Sequence, residues 1–496
     1  MRKPLAALVL STMLAVSSVT TFTSIAVAES KFQIKEDATV ADRVKAFADI
    51  KALFTEKTVL ADVKKLYLDK FQAEVKRIDA TIKADDPKIE ENLLLVLDAA
   101  IKGDLTVGQA QQAVDKGLQW YFYFFIRDQM NNQVRPLLTK GDIAGATAAF
   151  DKVIQVYEGA LQSTVDKRDK KYGTDMVAIL KGTIEQIQKD IKDNNVNDFN
   201  VHRQILDKTI IKVYTLATLT YAESIPTKPA ADQPTAITEG YFLYMPVYTY
   251  LRGGSAADAN AVKGAFASGD PSNINLTTIQ DQLQRTYIGK VSEYVKQALT
   301  KLEAGDLQGA RGYAAEGSMF LVGQEVFLGK ENYKAALEVT NQFVEAVDKA
   351  DLAAANKSSF EVLKFLVGKD GTSLKIGDTA YQVDGTAYTA ENAPYISLKS
   401  NRTLVPVRPI AQAIQADAEV EWIHATQSVV ITKDGKKTVL VPGSDRIEQD
   451  GIINENVKLD QPMEIVNGSA FIPLRAVAEL FGKCVFFENG EIIILR

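Results

Sequence analysis

The chain has 496 residues, with 57 Lys or Arg against 63 Asp or Glu and a formal net charge of −6. A mildly acidic protein lacks the concentrated basic surface that nucleic acid requires, so a nucleic-acid-binding function is excluded as an expectation. Its one cysteine, Cys484, cannot form an internal disulfide, so the fold must rest on its core, and this length suffices for two or three domains with ample burial.

Arg2 and Lys3 precede an apolar run from Leu5 to Val19, and Ala26-Val27-Ala28 supplies a small-x-small cleavage site. The run is interrupted by Ser11, Thr12, Ser17 and Ser18 and is short for a spanning helix. Residues 1–28 therefore read as a signal peptide, with a secreted, cell-surface-associated product and no integral membrane segment after cleavage. Removing it takes away Arg2 and Lys3 and no acid, leaving 55 basic against 63 acidic residues, a net charge of −8.

From Lys31 to Gly368 the pattern is helical almost throughout, and the proline-rich stretch Ile225 to Thr235 divides it into a first part (29–226) and a second (227–368). Lys51 to Ile82 carries Leu53, Val59, Val63, Leu66, Phe71, Val75 and Ile78 at spacings that predict one long amphipathic helix. Further helices are predicted over 89–101, 107–138, 143–165, 176–191, 201–224, 279–303 and 333–349. A Gly-Asp turn recurs at Gly103-Asp104, Gly141-Asp142 and Gly305-Asp306, where glycine ends one helix and aspartate can cap the next. A Glu-Gly pair recurs at Glu239-Gly240 and Glu316-Gly317, with Glu158-Gly159 and Lys116-Gly117 as weaker relatives. Gln204 to Val213 resembles Gln282 to Val291, 78 positions on. Two matches at nearly one offset point to duplicated helical units.

Glu158, Glu239 and Glu316 are the candidate metal ligands, since carboxylates at matching places on duplicated helices can converge across a bundle. Against this, none has a histidine three residues away, and a glutamate near a helix start is favoured by the dipole alone. Trp120 to Phe125 is six successive rings, and Tyr241 to Tyr250 is also ring-rich. A helix turns about 100° per residue, so such rings need either burial on all sides or a pocket. The buried tyrosine hydroxyls would need partners, which the repeated glutamates can supply. No Gly-x-Ser-x-Gly elbow, phosphate-cradling loop, His-Glu-x-x-His helix or cysteine cluster occurs. No catalytic residue and no cofactor site is assigned.

Beyond the hinge Gly368 to Ser373, residues 374–496 contain one phrase twice. Asn401-Arg402-Thr403-Leu404-Val405-Pro406-Val407-Arg408 matches Gly468-Ser469-Ala470-Phe471-Ile472-Pro473-Leu474-Arg475. Each copy predicts a strand, a proline at the helix start, a short helix and then alternating strands carrying Val420 and Trp422, or Val485 and Phe487. Leu474, Val477, Ala478 and Phe481 form the helix stripe, and Gly482 stops it.

At these residues the C-terminal quarter resembles the copper amine oxidase N-terminal-like, or stalk, domain common in secreted proteins of Gram-positive bacteria. Its first copy departs from the family pattern at Pro409 and Gln415. The resemblance implies a non-catalytic module. Copper-dependent oxidation belongs to a separate catalytic domain, and His202 and His424 are too few for a copper site built on imidazole. The helical part, most closely at Val156 to Leu161, resembles the extracytoplasmic helical region of iron-permease relatives, which implies a link to metal at the cell surface.

The expected architecture is multidomain: an all-α repeat or bundle followed by a small α+β domain of two strand-helix-strand repeats. The expected function is an exported, non-catalytic envelope protein, its helical scaffold presented by a stalk-like module to a cell-wall polymer or surface protein. Its rivals are a protein that binds or acquires iron or another cation, and a secreted enzyme with no recognisable motif.

Overall fold

The computed structural model describes residues 32–414, 419–433 and 435–495. The expected signal peptide, residues 1–28, and Gln415 lie outside the described residues. The chain forms two compact units, one of 32–287 with Ser318–Phe327, the other of Ile288–Gly317 with Leu328–Arg496. Among the described residues no helix is long and apolar enough to cross a membrane.

The first unit is helical, as the periodicity predicts, but Gln233–Gly254, Ala256–Ala267 and most of Ala38–Ala52 are helices outside the predicted ranges. Lys51 to Ile82 is not a single helix. Ala38–Ala52 ends near Leu53, and Leu60–Lys70 and Gln72–Asp79 follow it. Thr58 bonds the backbone oxygens of Leu53 and Thr55 in the break, and such local hydroxyl bonds compete with helix continuation. Val63, Phe71, Val75 and Ile78 of the stripe are buried on the shorter helices, but Val59, in the break, is 56% exposed.

Two of the Gly-Asp turns form as expected. Gly141 and Gly305 adopt φ of +76° and +75°, and Asp142 and Asp306 each accept the backbone N–H three residues on at 2.9 Å. At Gly103 the cap is instead Thr106, in a reciprocal pair with Gln109.

The helix Val107–Asp128 is central to this unit. Trp120, Tyr121, Phe122, Tyr123 and Phe125 are all buried. Phe122 meets Phe47 edge-on at 5.4 Å, and Tyr123 meets Tyr214 at 5.7 Å. The rings thus point to several neighbours, which decides for burial on all sides.

Among the described residues the second unit carries helices Lys330–Asp348 and Leu352–Val367 and fourteen short strands. These are β1 (Gly371–Lys375), β2 (Ala380–Val383), β3 (Thr386–Thr389), β4 (Tyr395–Ile396), β5 (Thr403–Pro406), β6 (Glu419–Ile423) and β7 (Ser428–Lys433). They continue with β8 (Lys436–Leu440), β9 (Arg446–Gln449), β10 (Ile452–Lys458), β11 (Glu464–Val466), β12 (Ser469–Pro473), β13 (Cys484–Glu488) and β14 (Glu491–Leu495). Three sheets result, ordered β13-β14-β1-β2-β3, β10-β9-β8-β7-β6 and β11-β12-β5-β4.

The duplicated phrase becomes a pair of adjacent strands. β5 and β12 run antiparallel with Val405 opposite Ile472 and Leu404 opposite Pro473, so the two copies face each other about a local two-fold. Each strand leads into a helix, Val407–Ile414 and Leu474–Leu480. The prolines close the strands rather than occupying the first helical turn. Pro473 has φ −66° and ψ 113°, which keeps it extended and paired while the helix begins at Leu474. Leu474, Val477, Ala478 and Phe481 are buried as the stripe predicts, and Gly482 at φ +75° ends the helix.

Candidate functional site

Sequence spacing put Lys116-Gly117 among the weaker relatives of the Glu-Gly pair, and the structure brings two of those relatives together. Lys116, on Val107–Asp128, and Glu239, on Gln233–Gly254, approach to 3.2 Å. Lys116 also meets Asp115 at 2.7 Å, and Asp115 meets Lys51 at 3.3 Å. The Tyr221 hydroxyl donates to Glu239. Burial opposes charging Lys116, but Asp115 and Glu239 outweigh it and hold the ammonium above its usual range. Burial and the adjacent Glu239 push the Tyr221 hydroxyl far up, so it stays protonated as a donor.

The glycines beside Lys116 and Glu239 admit other neighbours of these two helices, on Ile89–Lys102, Ala256–Ala267 and Val196–Ser224. A Cβ on Gly117 would lie 3.1 Å from Leu93 Cδ1, and one on Gly240 would lie 2.4 Å from Phe266 Cε1 and 3.2 Å from Tyr221 Cβ. The repeated Glu-Gly pair is therefore a packing device here: glycine admits the neighbouring helix, and glutamate receives the donors it carries.

Two turns further along the same face, Tyr123 and Arg127 meet a second buried carboxylate. Asp207 accepts the Tyr123 hydroxyl at 2.8 Å, pairs with Lys208 at 2.7 Å and lies 3.3 Å from Arg127. Arg127 and Lys208 sit 4.4 and 4.7 Å from the centre of the Tyr250 ring. Burial alone would raise the Asp207 carboxyl, yet Lys208 and Arg127 outweigh it and bring it down to about 2.

A depressed carboxylate adds stability above its unfolded value and loses it as pH falls through its folded value. From the ordinary 3.8 to about 2, this amounts to about 2 kcal/mol. Denaturant titrations between pH 4 and 2 should show the helical transition weakening by that amount, and Asp207→Asn should flatten the slope. An unchanged slope in the variant would show that other carboxylates govern acid unfolding.

The three candidate metal ligands occupy different settings. Glu158 lies in the π-helical turn Tyr157–Leu161 and accepts the Phe32 N–H at 3.0 Å. With Asp151, which accepts from Lys35, and Gln155, which accepts from Asp37, it forms one helix face that binds an extended strap, residues 32–37. Glu239 is held by Lys116 and Tyr221, and Glu316 belongs to the second unit. Among the described residues no group of three or more His, Cys, Asp or Glu side chains is arranged to hold a metal ion.

Copper, which the stalk resemblance brings to mind by name, does not fit the histidines present. His202 is buried with Nδ1 at 2.5 Å from Asp190. His424 belongs to the other unit and accepts from Trp422 Nε1 at 3.3 Å. Cys484 is half-buried, and burial pushes its thiol up, so it is a poor thiolate ligand.

In the second unit the two copies of the duplicated phrase enclose a groove of about 470 Å³. Asn401 and Arg402 come from the first copy, Arg475 and Phe487 from the second, and Ile396 and Asp460 complete the wall. Arg402 Nε pairs with Asp460 at 2.5 Å. Arg475 is exposed, with no ion pair or side-chain hydrogen bond among the described residues. Phe487 is 41% exposed and Ile396 39%. Sequence reasoning took Phe487 as one side of a half-buried strand; only the antiparallel meeting of β5 and β12 shows that it borders a groove.

Residues 371–495 of the second unit thus have the form of a small duplicated α+β module that presents a groove. More particularly, residues 382–495 match the family of the copper amine oxidase N-terminal domain, which is not the catalytic domain of those enzymes. No curated protein and no solved structure matches the chain.

Proposed function

We propose that this is an exported, non-catalytic protein of the cell envelope, in which the helical unit is a rigid scaffold and the C-terminal module holds a wall polymer or surface protein. The observation that carries the reading is the match of residues 382–495 to a domain outside the catalytic part of its namesake. Two further features support it. Glu158 and Glu239 are engaged with internal donors rather than aimed into a shared site. Apart from Arg168, the buried charges described above, at Lys116, Asp207 and Lys208, are paired ions, which suits a static frame better than a reacting centre.

The signal-like residues 1–28 supply the export reading. Expressing the full chain in a Gram-positive host, fractionating the cells and measuring the intact mass tests it. The expected product begins at Glu29 and sediments with isolated walls. A full-length mass in the cytosol would overturn export, and a product wholly in the medium would overturn wall retention.

A further inference from the structure

We propose that the groove between the two copies of the duplicated phrase, bordered by Arg402, Arg475 and Phe487, binds an anionic sugar polymer whose charge is carried by carboxylates or phosphodiesters. This rests on the wall-association reading and names the surface responsible for it.

The volume, about 470 Å³, falls among those of small-molecule sites. Two guanidinium groups face one carboxylate, Asp460, so the groove carries an excess positive charge on a chain that is acidic as a whole. The Arg402–Asp460 pair at 2.5 Å fixes one guanidinium in place. Arg475 has no such partner among the described residues, and its planar fork of donors suits a carboxylate or phosphate. The exposed Phe487 ring offers an apolar face to the C–H side of a sugar, while Asn401 and the arginines can meet hydroxyls and acid groups.

A polypeptide fits less well. Adding a strand to a sheet needs a long open edge, but β4 beside the groove is two residues, Tyr395–Ile396. A helix needs a continuous apolar trough, but Asn401, Arg402, Asp460 and Arg475 make much of this lining polar. The site also belongs to one end of the repeat pair, because Ser469 stands in the second copy where the first has Arg402.

Titration calorimetry of mature protein, residues 29–496, tests this with four probes: a galacturonate hexasaccharide, a sugar-phosphate oligomer of similar length, neutral maltohexaose and hexaglutamate. One or both anionic saccharides should bind, the choice separating carboxylate from phosphate. Maltohexaose and hexaglutamate should bind at least tenfold more weakly. Arg475→Gln and Phe487→Ser should each weaken the saccharide at least tenfold without moving the thermal melt, since both side chains are exposed.

No binding of either anionic saccharide would overturn the proposal, as would variants that bind like the parent. Equal binding of maltohexaose would remove the charge argument, and equal binding of hexaglutamate would make the partner an acidic peptide. Variants that lose the saccharide but still sediment with walls would leave wall association standing without this groove as its cause. Saccharide binding by a protein absent from the envelope would retain the groove and remove the localisation.

Discussion

Replacing Glu239 by alanine is expected to lower the stability of the helical unit by about 3–5 kcal/mol, the cost of breaking one side of a buried ion network. Lys116 would keep Asp115 at 2.7 Å but lose Glu239 at 3.2 Å. The half-buried Tyr221 hydroxyl would lose the carboxylate to which it donates, and an orphaned donor away from water carries its own desolvation cost. Guanidinium denaturation followed by helical circular dichroism reads the loss as a lower midpoint. Glu239→Gln, which keeps an acceptor oxygen for Tyr221, should recover part of it. A loss below about 1 kcal/mol, the level of an exposed pair, would show that Asp115 alone balances Lys116. The same variant addresses the metal reading. If Glu239 were a ligand, its removal would abolish stoichiometric cation binding in titrations with Fe, Cu, Zn and Ca; the structural role predicts a change in stability alone.

Arg168→Met is expected to act in the opposite direction, raising stability by on the order of 1–4 kcal/mol, as replacing buried ions by packed apolar groups often does. Arg168, on the helix Gln162–Tyr172, is buried, and its Nε has no acceptor. No carboxylate forms an ion pair with it among the described residues. Burial holds its guanidinium below the usual range, opposed by the nearby Tyr221, Tyr172 and Glu239. A guanidinium cannot shed its charge at neutral pH, so it bears the desolvation cost with only the field of Glu239, with which it forms no ion pair among the described residues, as offset. Methionine covers similar length and conforms to irregular spaces. The gain should be larger in the Glu239→Ala background, where that offset is gone, and a double-mutant cycle measures the difference. Destabilisation on Arg168→Met would show that the arginine holds an acceptor in solution.

These effects mark where sequence reasoning reached its limit. In Val107–Asp128 the ring cluster predicted a buried helix, and the helix is buried. Lys116 and Arg127 on the same helix gave no such warning, because a charged residue in an amphipathic pattern reads as solvent face. Each is held by a carboxylate far along the chain: Glu239 lies 123 positions beyond Lys116, and Asp207 lies 80 positions beyond the half-buried Arg127. The Glu-Gly recurrence did contain the signal. It marked Lys116-Gly117 and Glu239-Gly240 as related, but spacing could not show that the pair are each other's partners. For Glu158 the sequence held even less. Its partner is the backbone of Phe32, and a backbone N–H leaves no trace in residue type.

The break after Ala52 shows a complementary failure. An apolar stripe reports which side chains face the core, not whether one helix or three deliver them there. Local bonds by Thr58 end the helix, Val59 beside it is exposed, and the stripe resumes at the buried Val63 and Phe71.

By itself the sequence determined the class of each region: helices where apolar residues recur at three and four, and a duplicated strand-helix module where one phrase occurs twice. Those features depend on local periodicity and on residues such as Gly141, Gly305 and Gly482, whose positive φ is a property of the chain segment alone. Tertiary structure alone decided which charges are buried together and which surface is left open. Lys116 meets Glu239, and Arg475 with Phe487 borders a groove begun by Arg402, because helices and strands distant in sequence pack side by side. Coulomb attraction and desolvation act on distance through space, which residue spacing along the chain does not encode.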